Sequence, residues 1–158
     1  MKRIIGLIAC SILGLNLQMA HAQPSAQVAS KAKVPLTFQG DWLNVADEKK
    51  RFRLCRQLEE DGYMPLPKVH ALTFGERNIE QRFEQTDGNQ IFMNAVNLRY
   101  QKRTNNTLTG HSEQEYQEYG ADSEFPVRFN LPFSYTIKNN VLHAPHLKVK
   151  RFYPCPKG

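Results

Sequence analysis

Val127-Arg128-Phe129-Asn130-Leu131-Pro132-Phe133-Ser134-Tyr135-Thr136-Ile137-Lys138 places an apolar residue at every odd position and, Pro132 apart, a polar one at every even position. Successive side chains on a strand point to opposite faces, so this alternation predicts a strand with one apolar face and one wet face. Pro132 has no N–H to give to a ladder, which implies a sheet edge or a bulge at that position. Asn139-Asn140 then fits a two-residue hairpin turn, because Asn tolerates positive φ. Val141 to Ala144 begins the return strand, Pro145 interrupts it, and Leu147 to Tyr153 resumes extended structure up to Cys155.

Working backwards, Leu36, Phe38, Gly40 and Trp42 alternate against Thr37, Gln39, Asp41 and Leu43, predicting a first strand. Residues 69–75 and 78–85 read as two strands divided by Gly75-Glu76-Arg77, and Asp87-Gly88 marks a turn before Gln90. Phe92, Val96, Leu98 and Tyr100 are assigned to a common face, with Asn94 among them. Segment 101–110 is polar and reads as a turn, and residues 112–119 form a strand carrying Tyr116 or a loop. Short strands at regular spacing with turn signals between them argue for a barrel or a sandwich. One helix interrupts the series, capped by Asp47 and ending before Gly62. Phe52, Leu54, Cys55 and Leu58 fall in its apolar stripe, with Lys49, Lys50, Arg53 and Arg56 opposite. That basic face reads first as a solvated helix surface.

Phe38-Gln39-Gly40-Asp41-Trp42 resembles the G-x-W element that opens the first strand of lipocalin-like (calycin) barrels, and Tyr135 to Leu142 resembles a late hairpin of such domains. The resemblance implies a mainly β fold, a small antiparallel β-barrel, here with one short helix after the first strand. It also implies that Gly40 and Trp42 close one barrel end and that Arg151, from the last strand, packs across Trp42.

The N-terminus sets the compartment. Lys2 and Arg3 precede an apolar run from Ile4 to Ala20, and Ala20-His21-Ala22 supplies an A-x-A site before Gln23. This is the pattern of a secretory signal peptide cleaved after Ala22. The run is short of the about 20 apolar residues of a spanning helix and carries Asn16 and Gln18, so no transmembrane anchor is expected after cleavage. Leu7 to Cys10 resembles a lipoprotein box, but lipidation at Cys10 would leave the run from Ser11 to Ala20 unexplained. Cleavage removes residues 1–22; residues 23–34 read as a flexible leader and 35–158 as a single β-barrel domain. Loss of Lys2 and Arg3 lowers the net charge from +6 to +4. The product is expected to be a periplasmic or secreted monomer, out of reach of intracellular nucleic acid. Cys55 and Cys155 then remain as an even pair in an oxidising compartment and are expected to form a disulfide.

Signals for chemistry are sparse. His143 and His146 at i, i+3 on an extended segment point to opposite faces, and no zinc spacing is present. Asp41 beside Trp42 reads as a turn or rim residue. Ser112 beside His111 lacks a nucleophile elbow. No glycine-rich phosphate loop occurs. The chain is therefore not expected to be an enzyme or to hold a metal or cofactor. Lys148-Val149-Lys150-Arg151-Phe152-Tyr153 mixes basic and aromatic residues as single-strand nucleic-acid binders do, but alternation on a terminal strand gives the same pattern. Two function classes are expected. One is a binding barrel for a small apolar molecule, lined by Trp42, Phe92, Val96, Tyr100, Phe129, Phe133 and Tyr135. The other is an envelope-associated protein-interaction module or secreted-enzyme inhibitor, contacting its partner through loops 101–112 and 117–126.

Overall fold

The computed structural model describes residues 32–61, 68–84, 90–118 and 127–156. The expected signal peptide, most of the leader, the Asp87-Gly88 turn and most of loop 117–126 lie outside the described residues. The elements are β1 (Gly40–Leu43), α1 (Glu48–Asp61), β2 (His70–Phe74), β3 (Ile79–Glu84), β4 (Gln90–Arg103), β5 (Thr107–Glu118), β6 (Val127–Lys138), β7 (Val141–His143) and β8 (Arg151–Pro154). Each strand pairs antiparallel with the next, and β8 pairs with β1, so the sheet closes into a barrel. Closure removes both sheet edges over the paired residues.

The connections at 75–78, 104–106 and 139–140 lie at one end, where the turn at 36–38 also enters the barrel. Phe38, Phe74 and Phe152 are fully buried there, and Trp42 donates its indole N–H to the Phe38 carbonyl at 2.8 Å. Each buried aromatic stabilises by about 2–3 kcal/mol relative to exposure. Asn139 and Asn140 both take positive φ, 51° and 57°, as the two-residue hairpin requires.

A second apolar cluster lies outside the barrel. Leu54, Cys55 and Leu58 of α1 cover Leu43 and Ala71, which alternate outward from β1 and β2. Asp47 caps the helix by accepting the Lys50 N–H at 2.7 Å. The Arg51 guanidinium donates to the carbonyls of Pro154, Val45 and Ala46 and lies 5.6 Å from the Tyr153 ring centroid. The disulfide joins Cys55 on α1 to Cys155 just after β8, across 100 positions of sequence.

Several sequence expectations change. The first strand is shorter than 36–43: the chain turns at 36–38, leaving Leu36 exposed, and β1 starts at Gly40 with φ 112°. The polar segment 101–110 is not one long turn. β4 runs to Arg103, a tight turn occupies 104–106, and Thr107 already begins β5, with Thr104 Oγ1 accepting the Thr107 N–H. Of the expected extended stretch 147–153 only 151–153 is strand, in β8, which runs on to Pro154. Phe52 leaves the apolar stripe of α1 and is 48% exposed, because it sits well over 90° around the helix from Leu58. At Pro132 the edge alternative holds and the bulge does not: in β6 it pairs with His111 without a register break. Its other side needs no ladder bond, since β7 meets β6 only at Thr136 to Lys138.

Candidate functional site

The β5–β6 ladder is unbroken from Thr107↔Thr136 to Tyr116↔Val127. Alternation therefore runs through its whole length. Leu108, Gly110, Ser112, Gln114 and Tyr116 share the inner face with Phe129, Leu131, Phe133, Tyr135 and Ile137. At Gly110 a β-carbon would stand 2.0 Å from the Arg99 carbonyl oxygen, so β4 passes too close for any side chain.

β4 behaves differently. Its register against β5 slips between Val96 and Arg99, where Asn97 takes φ 51°. The extra residue exchanges the two faces. Before it, Ile91, Met93 and Ala95 face inward; after it, Leu98 and Tyr100 do. Phe92 and Val96 consequently lie on the outer face, opposite Gln117 and Glu113, and the Arg82 guanidinium lies 5.6 Å from the Phe92 ring centroid. The shared face expected for Phe92, Val96, Leu98 and Tyr100 is corrected by this bulge. Polar Asn97 in αL carries no hydropathy signal that would reveal the change of phase.

The interior has two halves. In the half nearer the turn end, Phe74, Tyr135 and Phe133 pack ring to ring, Phe74 and Tyr135 edge-on at 5.0 Å. Trp42, Phe133 and Tyr135 are core residues of this half, and burial raises the Tyr135 phenol pKa well above its usual value. In the other half, the long strands β4 to β6 extend past the short ones. Phe129 and Leu131 face inward yet are 52% and 39% exposed, so the barrel opens to solvent at this end.

Between these halves lie polar atoms without partners. Ser112 is 1% exposed and Gln114 9%, and neither Ser112 Oγ nor Gln114 Oε1 has a hydrogen-bond partner. Tyr100 OH and His70 Nδ1 are also buried and unpartnered. The register turns all four residues inward: Tyr100 opposite Gly110, Ser112 opposite Leu131, Gln114 between Ala95 and Phe129, and His70 opposite Phe83. Burial raises the Tyr100 pKa, with Arg103 opposing it. Burial, then the nearby Lys148 charge, lowers that of His70, whose ring stacks on Phe83 at 5.3 Å. Each orphaned polar atom costs about 1–3 kcal/mol of desolvation. Four such atoms on the inner face, two of them on the successive inward residues Ser112 and Gln114, mark where hydrogen bonds can be formed.

Segment 144–150 fills the notch left by the short strands. Leu147 and Val149 pack against the core, the Ser134 N–H donates to His146 Nδ1 at 3.3 Å, and His146 stands edge-on to Tyr135 at 4.7 Å. Lys150 Nζ ties the segment together through the carbonyls of Pro145 and Leu147.

Arg151 does not lie across Trp42. It is exposed opposite His143 on the outer surface, and the β8 residue beside Trp42 is Pro154. Gly40 begins β1 at the turn end, on the rim of a cavity of about 590 Å³ between α1 and the barrel. Asp41, Phe52, Arg56, Glu59, Cys155 and Pro156 help to line this groove, and the Arg56 guanidinium lies 5.2 Å from the Phe52 ring centroid. Thr73 Oγ1 donates to Asp41 Oδ1 at 2.5 Å, fixing the carboxylate on the outer face.

Among the described residues, no three His, Cys, Asp or Glu side chains gather as a metal site would require, and no helix is long and apolar enough to cross a membrane. Tyr100, Phe129, Phe133 and Tyr135 of the expected lining do share the interior with Trp42. Ser112, Gln114 and His70 were missed because hydropathy alternation cannot flag a polar inner face. The signal that finds them is the pairing of 107–116 with 127–136, which sets Ser112 and Gln114 opposite Leu131 and Phe129. No family model, curated protein or solved structure matches this chain, which is described by its geometry as a closed eight-stranded antiparallel barrel with one outer helix.

Proposed function

We propose that this protein is a non-enzymatic binding module that takes a small, largely apolar molecule into the open half of its barrel. The observation that carries this reading is the group of inward-facing, unpartnered polar atoms beside exposed inward apolar residues. A solid core would fill that half with apolar side chains, as the other half is filled. Ligand sites instead combine apolar walls with a few convergent polar groups. The signal-like N-terminus and the Cys55–Cys155 bridge support an exported, oxidised protein, periplasmic or secreted. The lipocalin-like resemblance is in keeping with the same reading. Native mass spectrometry of protein purified from its own host is expected to reveal a bound small molecule, and a neutral apolar dye is expected to bind with increased fluorescence. Absence of both overturns the proposal.

The outer groove favours a second reading, an envelope-associated interaction module or secreted-enzyme inhibitor. Phe52 stays half-exposed against Arg56 at its edge, where an apolar residue gains nothing unless something covers it. A partner captured from envelope extract by the wild type but not by Phe52→Ser supports this reading; equal capture by both counts against it.

A further inference from the structure

Resting on the barrel-binding reading, we infer that the ligand is uncharged and enters with a hydrogen-bonding group leading, which docks on Ser112 and Gln114. The inner face carries the argument. From the Tyr100↔Gly110 rung to the Met93↔Tyr116 rung, the inward side chains of β4, β5 and β6 are Met93, Ala95, Leu98, Tyr100, Ser112, Gln114 and Tyr116 with Phe129, Leu131 and Phe133; nearer the turn end a second register slip after Tyr100 pairs Arg103 with Leu108, and the Arg103 guanidinium there donates to the Lys33 carbonyl at 2.7 Å. Those of β2 and β3 are His70, Leu72 and Phe74 with Ile79, Gln81 and Phe83. Arg103 apart, which is exposed at the turn end and bound to a backbone carbonyl, not one is an Asp, Glu, Lys or Arg. Up to Tyr116 the carboxylate residues of β5, Glu113 and Glu115, pair on the outer face, and the cation that acts on His70 is Lys148 in the 144–150 segment.

An ionised headgroup drawn into this interior would lose its water and meet no opposite charge, which is strongly unfavourable. A hydroxyl or primary amide has different needs. Its donor can satisfy Gln114 Oε1, and its oxygen can accept from the Ser112 hydroxyl, two atoms that otherwise lie buried and unpartnered. Ser112 and Gln114 are successive inward residues of β5, so one small headgroup can address both. The chain of such a ligand then runs towards the mouth past Phe129 and Leu131, the inward apolar residues that remain exposed. Polarity thus runs inward from an apolar entrance, which selects against an anionic tail-first or head-first amphiphile alike.

The test compares three ligands of equal chain length. Full-length protein is loaded with N-phenyl-1-naphthylamine, an uncharged fluorescent dye, and titrated with 1-decanol, decanamide and decanoate at about pH 8, where a carboxylic acid is ionised. Decanol and decanamide are expected to displace the dye at concentrations at least about tenfold below decanoate, as an unpaired buried charge demands. Ser112→Ala and Gln114→Met should each weaken decanol about fivefold relative to the dye, the worth of one hydrogen bond. Both variants keep the site's volume and remove no existing hydrogen bond. Decanoate equal to or better than decanol, no displacement by decanol, or variants that leave decanol unaffected overturns the inference while dye uptake upholds the barrel reading. Failure of the dye and all three ligands to bind overturns both.

Discussion

Phe133 and Tyr135 stand on the same strand, and the same face of it, as Phe129 and Leu131, yet the first pair is buried and the second is exposed. Nothing local separates them: the alternation is uninterrupted and the residues are equally apolar. The difference lies across the barrel. At the turn end β6 faces Phe74, Trp42 and Leu142, carried on short strands and plugged by Phe38. Beyond Ser134 those short strands have ended. An inward apolar residue is then a wall without an opposite wall. Burial is a property of the closed surface, and alternation only says which way a side chain points.

The contrast between the two halves can be broken at its strongest tie first. Cys155→Ser removes a crosslink spanning 100 positions. In the chain-entropy account that costs about 4–5 kcal/mol. The midpoint of thermal unfolding should fall markedly, and hydrogen exchange should accelerate first in β1 and β8. Uniform acceleration through β4 and β5 would show that the halves are one cooperative unit.

Truncating the two phenylalanines of β6 gives the most direct comparison. Phe133→Ala should cost about 3–5 kcal/mol in denaturant unfolding, whereas Phe129→Ala should cost less than about 1. Equal losses would mean that the open half is packed as tightly as the other.

A smaller effect of unusual sign is expected at Ser112. Its hydroxyl is buried without a partner, so Ser112→Ala should leave the ligand-free protein as stable or up to about 1 kcal/mol more stable. A clear destabilisation would reveal a hydrogen bond that the interior relies on.

The smallest effect is pH-dependent. Burial, then Lys148, lowers the His70 pKa from 6.5, so the unfolded chain binds the proton more readily than the folded one. Stability from this group is complete above about pH 6.5 and declines as pH falls through the folded-state value. His70→Phe should flatten that decline in urea titrations. An unchanged pH profile would remove His70 from the account.

How much of this was legible beforehand can be judged residue by residue. The period of 127–138, the Asn139-Asn140 turn, the Asp47 cap and the even cysteine pair are local or arithmetic signals, and each has its counterpart in the structure. Arg51 could not be distinguished from its basic neighbours by sequence, because only the meeting of α1 with β8 gives it three carbonyls. Phe92 and Val96 were misplaced by a single bulge residue, since one added position exchanges faces until the next register slip, here after Tyr100. The candidate site was half visible: its aromatic wall follows from alternation, while its polar floor follows only from register.

The chain alone determined the strand phase of 127–138, the Asn139-Asn140 turn chemistry and the Asp47 cap. Those depend on residues within a few positions of one another. Tertiary structure decided which inward residues are covered, where β4 changes face, and that Ser112, Gln114, Tyr100 and His70 share one interior. These depend on which strands end short and which pair across the barrel, and covering a residue needs an opposite wall that its own neighbours cannot supply.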